Sequence, residues 1–350
     1  MKKLLFCILA LSLAVSLAAC GENRNGNVNH NNENSNLSGN QETEVITLML
    51  ATKMPEDSFE GKTYQHFADL VNEYTNGSVL VQVYPSEQLG DSTTTVTNMT
   101  LGTIDMYAEG ISYYSGYTDK TAWTSVPFLI PSWEEFSALM QGEFGAAQEA
   151  DLNAAGLTLI SRSRTWMRGP YYVMCSTKPI ETPDDLKGLR LRTHDSAAFM
   201  AAMDGVGMNP LVIAYTDTYS ALQQGTVEAV ICPISNVESM AFYEQAPYIC
   251  KFDIYPQEIT VVMNLDKFNS LTAEQQDALV RAADDTAAYS NEAIEAVIQE
   301  IISSVSGKGA VFMDDFDISP LHDALEENGY YREQVANGTI PQAVADAWLP

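Results

Sequence analysis

One stretch, Pro183–Pro233, limits the folds open to this chain. It holds two short apolar runs, Leu189–Thr193 and Val227–Cys232. Between them lie an alanine-rich helical segment, the breakers Gly205, Gly207, Asn209 and Pro210, and a second helical segment that stops at Gly225. Short apolar strands alternating with helices belong to a parallel sheet covered on both faces, so the fold class expected is α/β. Such a sheet delivers the side chains at its strand C-terminal ends to a crevice where ligands sit, and Arg192 stands at such an end. Arg190 shares a strand face with it, because residues two apart point the same way, so spacing alone leaves either arginine free to enter the crevice.

The chain opens with Lys2, Lys3, an apolar run from Leu4 to Leu17, and Ala18-Ala19-Cys20. The run is short for a membrane span, and its basic start and small-residue end are those of a secretory signal occupying residues 1–20. Leu17-Ala18-Ala19-Cys20 also resembles a bacterial lipobox, which implies lipidation of Cys20 and an extracytoplasmic protein anchored to the cell membrane. Residues 21–43 are asparagine-rich and nearly devoid of apolar side chains, so they cannot offset the entropy of ordering and read as a disordered tether about 25 Å long. His30 within it reads as solvent-exposed. The remaining ~300 residues are more than one core usually serves, so two lobes are expected. Loss of Lys2 and Lys3 with the signal takes the formal net charge from −28 to −30. A chain this acidic repels nucleic acid and anionic lipid headgroups. It also repels free organic anions at long range, so any anion site must be local, basic and shielded.

Motifs for catalysis are absent or incomplete. Gly61-Lys62-Thr63 is only the end of a phosphate-binding loop, whose first glycine falls at Glu56. Gly205-Val206-Gly207 follows a helix and lacks the third glycine of a dinucleotide fingerprint. His66, His194 and His322 are dispersed, and His194, two residues past Arg192, either reaches the same crevice or, the commoner case, faces solvent at a strand end. Beyond Cys7 and Cys20 there remain Cys175, Cys232 and Cys250, an odd number without a C-x-x-C pair, so neither a disulfide framework nor a metal site follows. No cofactor and no enzymatic activity are expected.

From Glu44 the chain begins a βαβ unit: a strand at Ile46–Ala51, a helical face of Phe59, Phe67, Leu70, Val71 and Tyr74, then alternating Val79, Val81 and Val83. Leu157–Ser161 and Glu258–Asn264 read as further strands. Thr272 with Gln275 three residues on signals a helix start, and helical periodicity continues through Leu279, Ala282, Tyr289 and Ile301 to Gly307. Such a helix extends about 45–50 Å, long enough to brace two lobes.

Three segments carry a family resemblance: Asp185-Leu186-Lys187-Gly188-Leu189-Arg190-Leu191-Arg192, then Gly207-Met208-Asn209-Pro210, then Asp217-Thr218-Tyr219-Ser220-Ala221-Leu222-Gln223-Gln224-Gly225. Together with Tyr84-Pro85-Ser86-Glu87-Gln88-Leu89-Gly90 and Val126-Pro127-Phe128-Leu129-Ile130, they resemble the signature of solute-binding proteins of TRAP transporters, importers of organic acids. The resemblance implies a two-lobe periplasmic-binding-protein-like fold with three crossings, lobe I from 44–167 and 258–290, and lobe II from 168–257 and 291–350. It also implies a monomer that closes over an organic anion and delivers it to a membrane permease. The family's fixed arginine falls at Arg192 and a variable basic position at Arg190. Its second ligand-facing arginine falls near Tyr171, counted back from Lys178-Pro179-Ile180, and Arg168 takes that role if the register slips. Asp217 stands where glutamate is usual, and Ile231-Cys232 replaces the family's Glu-Asn before Pro233. The ligand-facing set expected is therefore Arg192, Arg168, Cys232, Asp217, Tyr171, Tyr215 and Asn236. Trp166, Tyr171 and Tyr172 lie beside a strand, where aromatics are more often core than pocket wall. A sensor that presents ligand to a membrane receptor shares this fold and stays open as an alternative; an extracytoplasmic enzyme is a third reading, opposed by the missing nucleophile–base pair.

Overall fold

The computed structural model describes residues 45–313 and 315–349; the signal, Cys20, the tether and His30 lie outside the described residues. In chain order the strands are β1 (Ile46–Ala51), β2 (Val79–Tyr84), β3 (Met106–Glu109), β4 (Leu157–Leu159), β5 (Tyr172–Ser176), β6 (Arg190–Thr193), β7 (Asn209–Val212), β8 (Ala229–Pro233), β9 (Tyr248–Lys251), β10 (Thr260–Asn264) and β11 (Val311–Met313). They form two sheets, ordered β2-β1-β3-β10-β4 and β11-β9-β5-β8-β6-β7. Each sheet is mixed: β2, β1 and β3 are parallel with β10 antiparallel beside them, while β8, β6 and β7 are parallel with β5 antiparallel to β8. These are two α/β lobes; β3 and β8 are buried on both faces, as continuous apolar strands require, while β2 and β7 at the sheet edges are partly exposed.

The chain crosses between sheets from β4 to β5 and returns from β9 to β10. The crossings run side by side, joined by an antiparallel bridge of Met167 to Glu258 and by the Arg168 N–H donating to the Gln257 carbonyl at 2.9 Å. The third crossing is the helix Ala273–Gly307, whose 35 residues extend about 52 Å. Its start is the capping box expected: Thr272 Oγ1 accepts from the Gln275 N–H at 3.2 Å, and the Gln275 side chain accepts from the Thr272 N–H at 3.0 Å. Along its length the helix holds lobe I, the hinge and lobe II in turn. Gln275 donates to Ser78 at 3.1 Å, Asn291 bonds Thr165 and Met167 of the first crossing, and Ser304 and Lys308 both reach Glu238.

Packing departs from the expected lobe I boundary at 167. Trp123, Val126, Leu129, Phe136 and Met140 lie in the apolar cluster of the second sheet, with Phe199, Leu325 and Tyr331. No strand forms between β3 and β4, so this apolar run finds its cover across the molecule: the Tyr331 hydroxyl donates to the Pro127 carbonyl at 3.1 Å, and Trp123 meets Trp348 at 5.7 Å. Boundaries also shift locally, with β6 running Arg190–Thr193 and β8 running Ala229–Pro233 where the apolar runs begin at Leu189 and Val227.

Candidate functional site

Arg192 comes from the C-terminal end of β6 and is 7 % exposed. Its Nε donates to the Ile213 carbonyl at 2.9 Å and its guanidinium carbon lies 4.9 Å from the centre of the Tyr215 ring. Among the described residues no acid lies within ion-pair distance of it. Arg190, at the opposite end of the strand, turns outward beside the Gly225 turn. It donates to the Gly225 and Thr226 carbonyls and pairs with Glu228 at 3.5 Å, with 44 % of its side chain exposed. The strand end, rather than the strand face, separates the two arginines.

Opposite Arg192, lobe I and the hinge contribute a buried ionic floor. Lys53 follows the end of β1, Glu109 ends β3, Glu60 sits in the first turn of the helix Phe59–Tyr74, and Arg168 lies on the first crossing. That first turn is tightly folded, since a Cβ at Gly61 would meet the Pro55 carbonyl oxygen at 2.1 Å, so only glycine fits next to Glu60. Lys53 Nζ is 2.8 Å from Glu109 Oε2; Arg168 is ion-paired to Glu109 and lies 3.7 Å from Glu60. Burial pushes the Glu109 carboxyl up, but Arg168 and Lys53 outweigh it and bring it to about 2, so it is ionised at neutral pH. Glu60, with Arg168 farther off, is held above the usual carboxylate range by burial. Lys53 also donates to the Tyr113 hydroxyl at 3.0 Å and lies 5.0 Å from the centre of the Tyr215 ring, a contact between lobes.

Two small chambers meet between the lobes and share Lys53, Tyr113, Arg192, His194 and Tyr215. The inner, of about 40 Å³, continues to Arg168, Tyr172, Asn236, Tyr255 and Gln257; the outer, of about 120 Å³, continues to Glu87, Asp91, Ser92, Thr93 and Asp195. Bonds across the cleft hold the lobes together: Thr216 Oγ1 donates to Glu87 at 2.5 Å, Asn236 Nδ2 reaches Met54 Sδ at 3.8 Å, and Ser125 Oγ lies 3.4 Å from His194 Nε2. Asn236 also donates to the Tyr215 hydroxyl at 3.0 Å, fixing that ring beside Arg192.

His194 takes the rarer of its two readings and reaches the crevice rather than solvent. It lines both chambers between Tyr113 and Phe199, where burial, Arg192 and Lys53 lower its pKa to about 3 and keep the ring neutral. Of the seven residues expected to face a ligand, Arg192, Arg168, Tyr215 and Asn236 come together at the chambers. The other three do not. Cys232 points into the core with Val173 and Cys175, because strand alternation gives the chamber to Ile231 and Pro233 instead. Asp217 is exposed at the start of the helix Thr218–Gln223. Tyr171 lines a separate groove with Pro170 and Glu295, and the neighbouring Tyr172 faces the chamber. Lys53, Glu109, Tyr113, Tyr255 and Gln257 were not anticipated. The rule that made Arg192 a candidate, a polar residue at the C-terminal end of a parallel strand, also fits Lys53 and Glu109.

The family model for bacterial extracellular solute-binding protein family 7, DctP, matches residues 50–335. The chain is 30 % identical over 259 residues to the 2,3-diketo-L-gulonate-binding periplasmic protein YiaO of Escherichia coli K12, covering 74 % of this chain and 78 % of that one. It is 25 % identical over 296 residues to the C4-dicarboxylate-binding periplasmic protein DctP of Rhodobacter capsulatus, covering 81 % and 87 %. A TRAP periplasmic solute-binding protein of Sulfitobacter sp. NAS-14.1, solved with bound β-D-galacturonate, shares the fold with a TM-score of 0.78 at 21 % identity, over 85 % of this chain and 98 % of that one.

Proposed function

Because the chain belongs to family 7 of the bacterial extracellular solute-binding proteins, the binding subunits of TRAP transporters, we propose that its cleft closes over an organic acid whose carboxylate Arg192 grips. The observation that carries this reading is a buried guanidinium with no acidic partner among the described residues, aimed into a chamber between two lobes. A buried charge without a partner is costly, and a carboxylate ligand offers both the missing charge and two acceptors for the forked donors. Closure excludes water and salt from the pair, which lets it form inside a chain of strongly negative net charge. Asn236 and Tyr215 orient the site, and the hinge at Met167–Glu258 and the helix Ala273–Gly307 permit rigid lobes to open and shut. The closed protein, a monomer, then delivers its ligand to the membrane permease.

Calorimetry with the ligand that co-purifies, identified by mass spectrometry, tests the grip. Arg192→Ala loses about 2–5 kcal/mol of binding, thirty-fold to several thousand-fold, while Arg190→Ala changes it by no more than about 1 kcal/mol. Wild-type affinity in Arg192→Ala removes the proposal. The sequence Leu17-Ala18-Ala19-Cys20 further supports a lipid anchor on Cys20, facing outward from the cell membrane. Cys20→Ser releases the protein from membranes with the loss of acyl mass; unchanged detergent partitioning of that variant rules the anchor out.

A further inference from the structure

We propose that the cleft admits a single negative charge: its ligand is a monocarboxylate with an uncharged, hydroxyl-bearing tail, and Glu87 and Asp195 are the residues that reject a second carboxylate. The inference rests on Arg192 as the carboxylate grip and adds which anions that grip accepts.

Charge is unequally disposed along the cleft. Lys53 and Arg168 are both paired with Glu109, and Arg168 also faces Glu60, which leaves Arg192 as the cation without an acid among the described residues lining the chambers. One carboxylate matches that surplus. The rest of the ligand extends into the larger outer chamber, whose wall is Glu87, Asp91 and Asp195 with the hydroxyls of Ser92 and Thr93. Asp91 is engaged as a helix cap, accepting from the Thr94 N–H at 2.8 Å. Glu87 is built into the wall. Ser86 and Glu87 both hold left-handed backbone conformations, with φ of 53° and 57°, which side-chain-bearing residues seldom adopt. They are kept there by the Ser86 N–H donating to Met54 at 3.0 Å, the Glu87 N–H donating to Thr52 at 3.1 Å, and Thr216 donating to the Glu87 carboxylate across the cleft. An ionised carboxylate accepts hydrogen bonds and donates none, so this wall receives hydroxyl groups and opposes a second anionic group by like-charge repulsion.

Matched acids that differ only at the far carbon test this: gluconate against glucarate, galactonate against galactarate, threonate against tartrate, each titrated calorimetrically into the full mature chain. At least one aldonate binds, and its dianionic counterpart binds at least about tenfold more weakly. Glu87→Gln, which keeps an acceptor for Thr216, and Asp195→Asn each narrow that gap, by roughly three- to tenfold. A dianion that binds as tightly as its monoanion, a gap that neither variant changes, or binding of no member of any pair overturns the inference. The grip is judged separately: if the co-purified ligand still depends on Arg192 in any of those cases, only the tail and charge selectivity fall, whereas a ligand indifferent to Arg192→Ala removes the grip itself.

Discussion

Arg168 and Arg192 line the same chamber and are buried alike, at 3 % and 7 % exposure, yet their surroundings differ completely. Arg168 arrives on the hinge crossing and meets two acids of lobe I, so its charge is answered inside the folded chain. Arg192 arrives on a lobe II strand and meets a carbonyl and an aromatic face, neither of which neutralises it. Burial therefore does not distinguish a structural charge from a functional one. The partner separates them: Arg168 is met by acids of the folded chain and Arg192 is not, and the proposed carboxylate grip rests on that difference.

Separate readouts of folding and binding break or sharpen this contrast most strongly. Arg168→Ala leaves Glu60 without its cation and Glu109 with Lys53 alone, and breaking such a buried network costs about 3–5 kcal/mol of stability, measured by urea unfolding. Adding Glu60→Gln to Arg168→Met recovers part of that loss, because the acid left without a cation is removed with its partner while Glu109 keeps Lys53. Arg192→Ala strands no acid, so its unfolding free energy stays within about 1 kcal/mol of wild type, while ligand raises the melting temperature of the wild type and not of the variant. Equal destabilisation by the two alanines erases the distinction.

How much of this was legible in the sequence follows from the same contrast. Only the family resemblance set Arg192 apart from Arg190, whereas the α/β class and the capped long helix could be read because each depends on local signals, apolar runs and a Thr–Gln capping box. The ionic floor could not, since Lys53, Glu60, Glu109 and Arg168 converge from positions up to 115 residues apart and no periodicity links them. Cys232 and Tyr171 show the other limit. A strand's period of two makes a one-residue difference in register exchange chamber for core, which is why Tyr172, Ile231 and Pro233 stand where Tyr171 and Cys232 were expected. Several apolar side chains of 122–140 find their cover in the second sheet's cluster, because an apolar run declares that it must be covered without declaring by what.

The smallest effect is read at His194, which senses one arginine and not the other. Its folded pKa of about 3 arises from burial, then from Arg192 and Lys53, partly opposed by Glu109. Above pH 6.5, the ordinary histidine value, neither folded nor unfolded chain carries the proton; below it the unfolded chain takes one and the folded chain refuses it until about pH 3. The stability this neutral ring contributes is thus complete above about pH 6.5 and declines as pH falls toward 3, by at most about 1.4 kcal/mol per unit. Glu109 adds a loss of the same sign only below its ordinary 4.5, and Glu60, raised by burial, acts with the opposite sign, so the difference between wild type and His194→Gln isolates the histidine. That difference grows as pH drops from 6.5 to 4.5. An NMR titration of the ring then separates the arginines: Arg192→Ala, or a bound carboxylate that neutralises Arg192, moves the His194 pKa back up toward 6.5, whereas removing Arg168's charge together with its acid, in Arg168→Met/Glu60→Gln, leaves most of the depression in place. A ring that titrates near 6.5 in the wild type, or that responds equally to both arginines, contradicts the unpaired Arg192 on which the contrast depends.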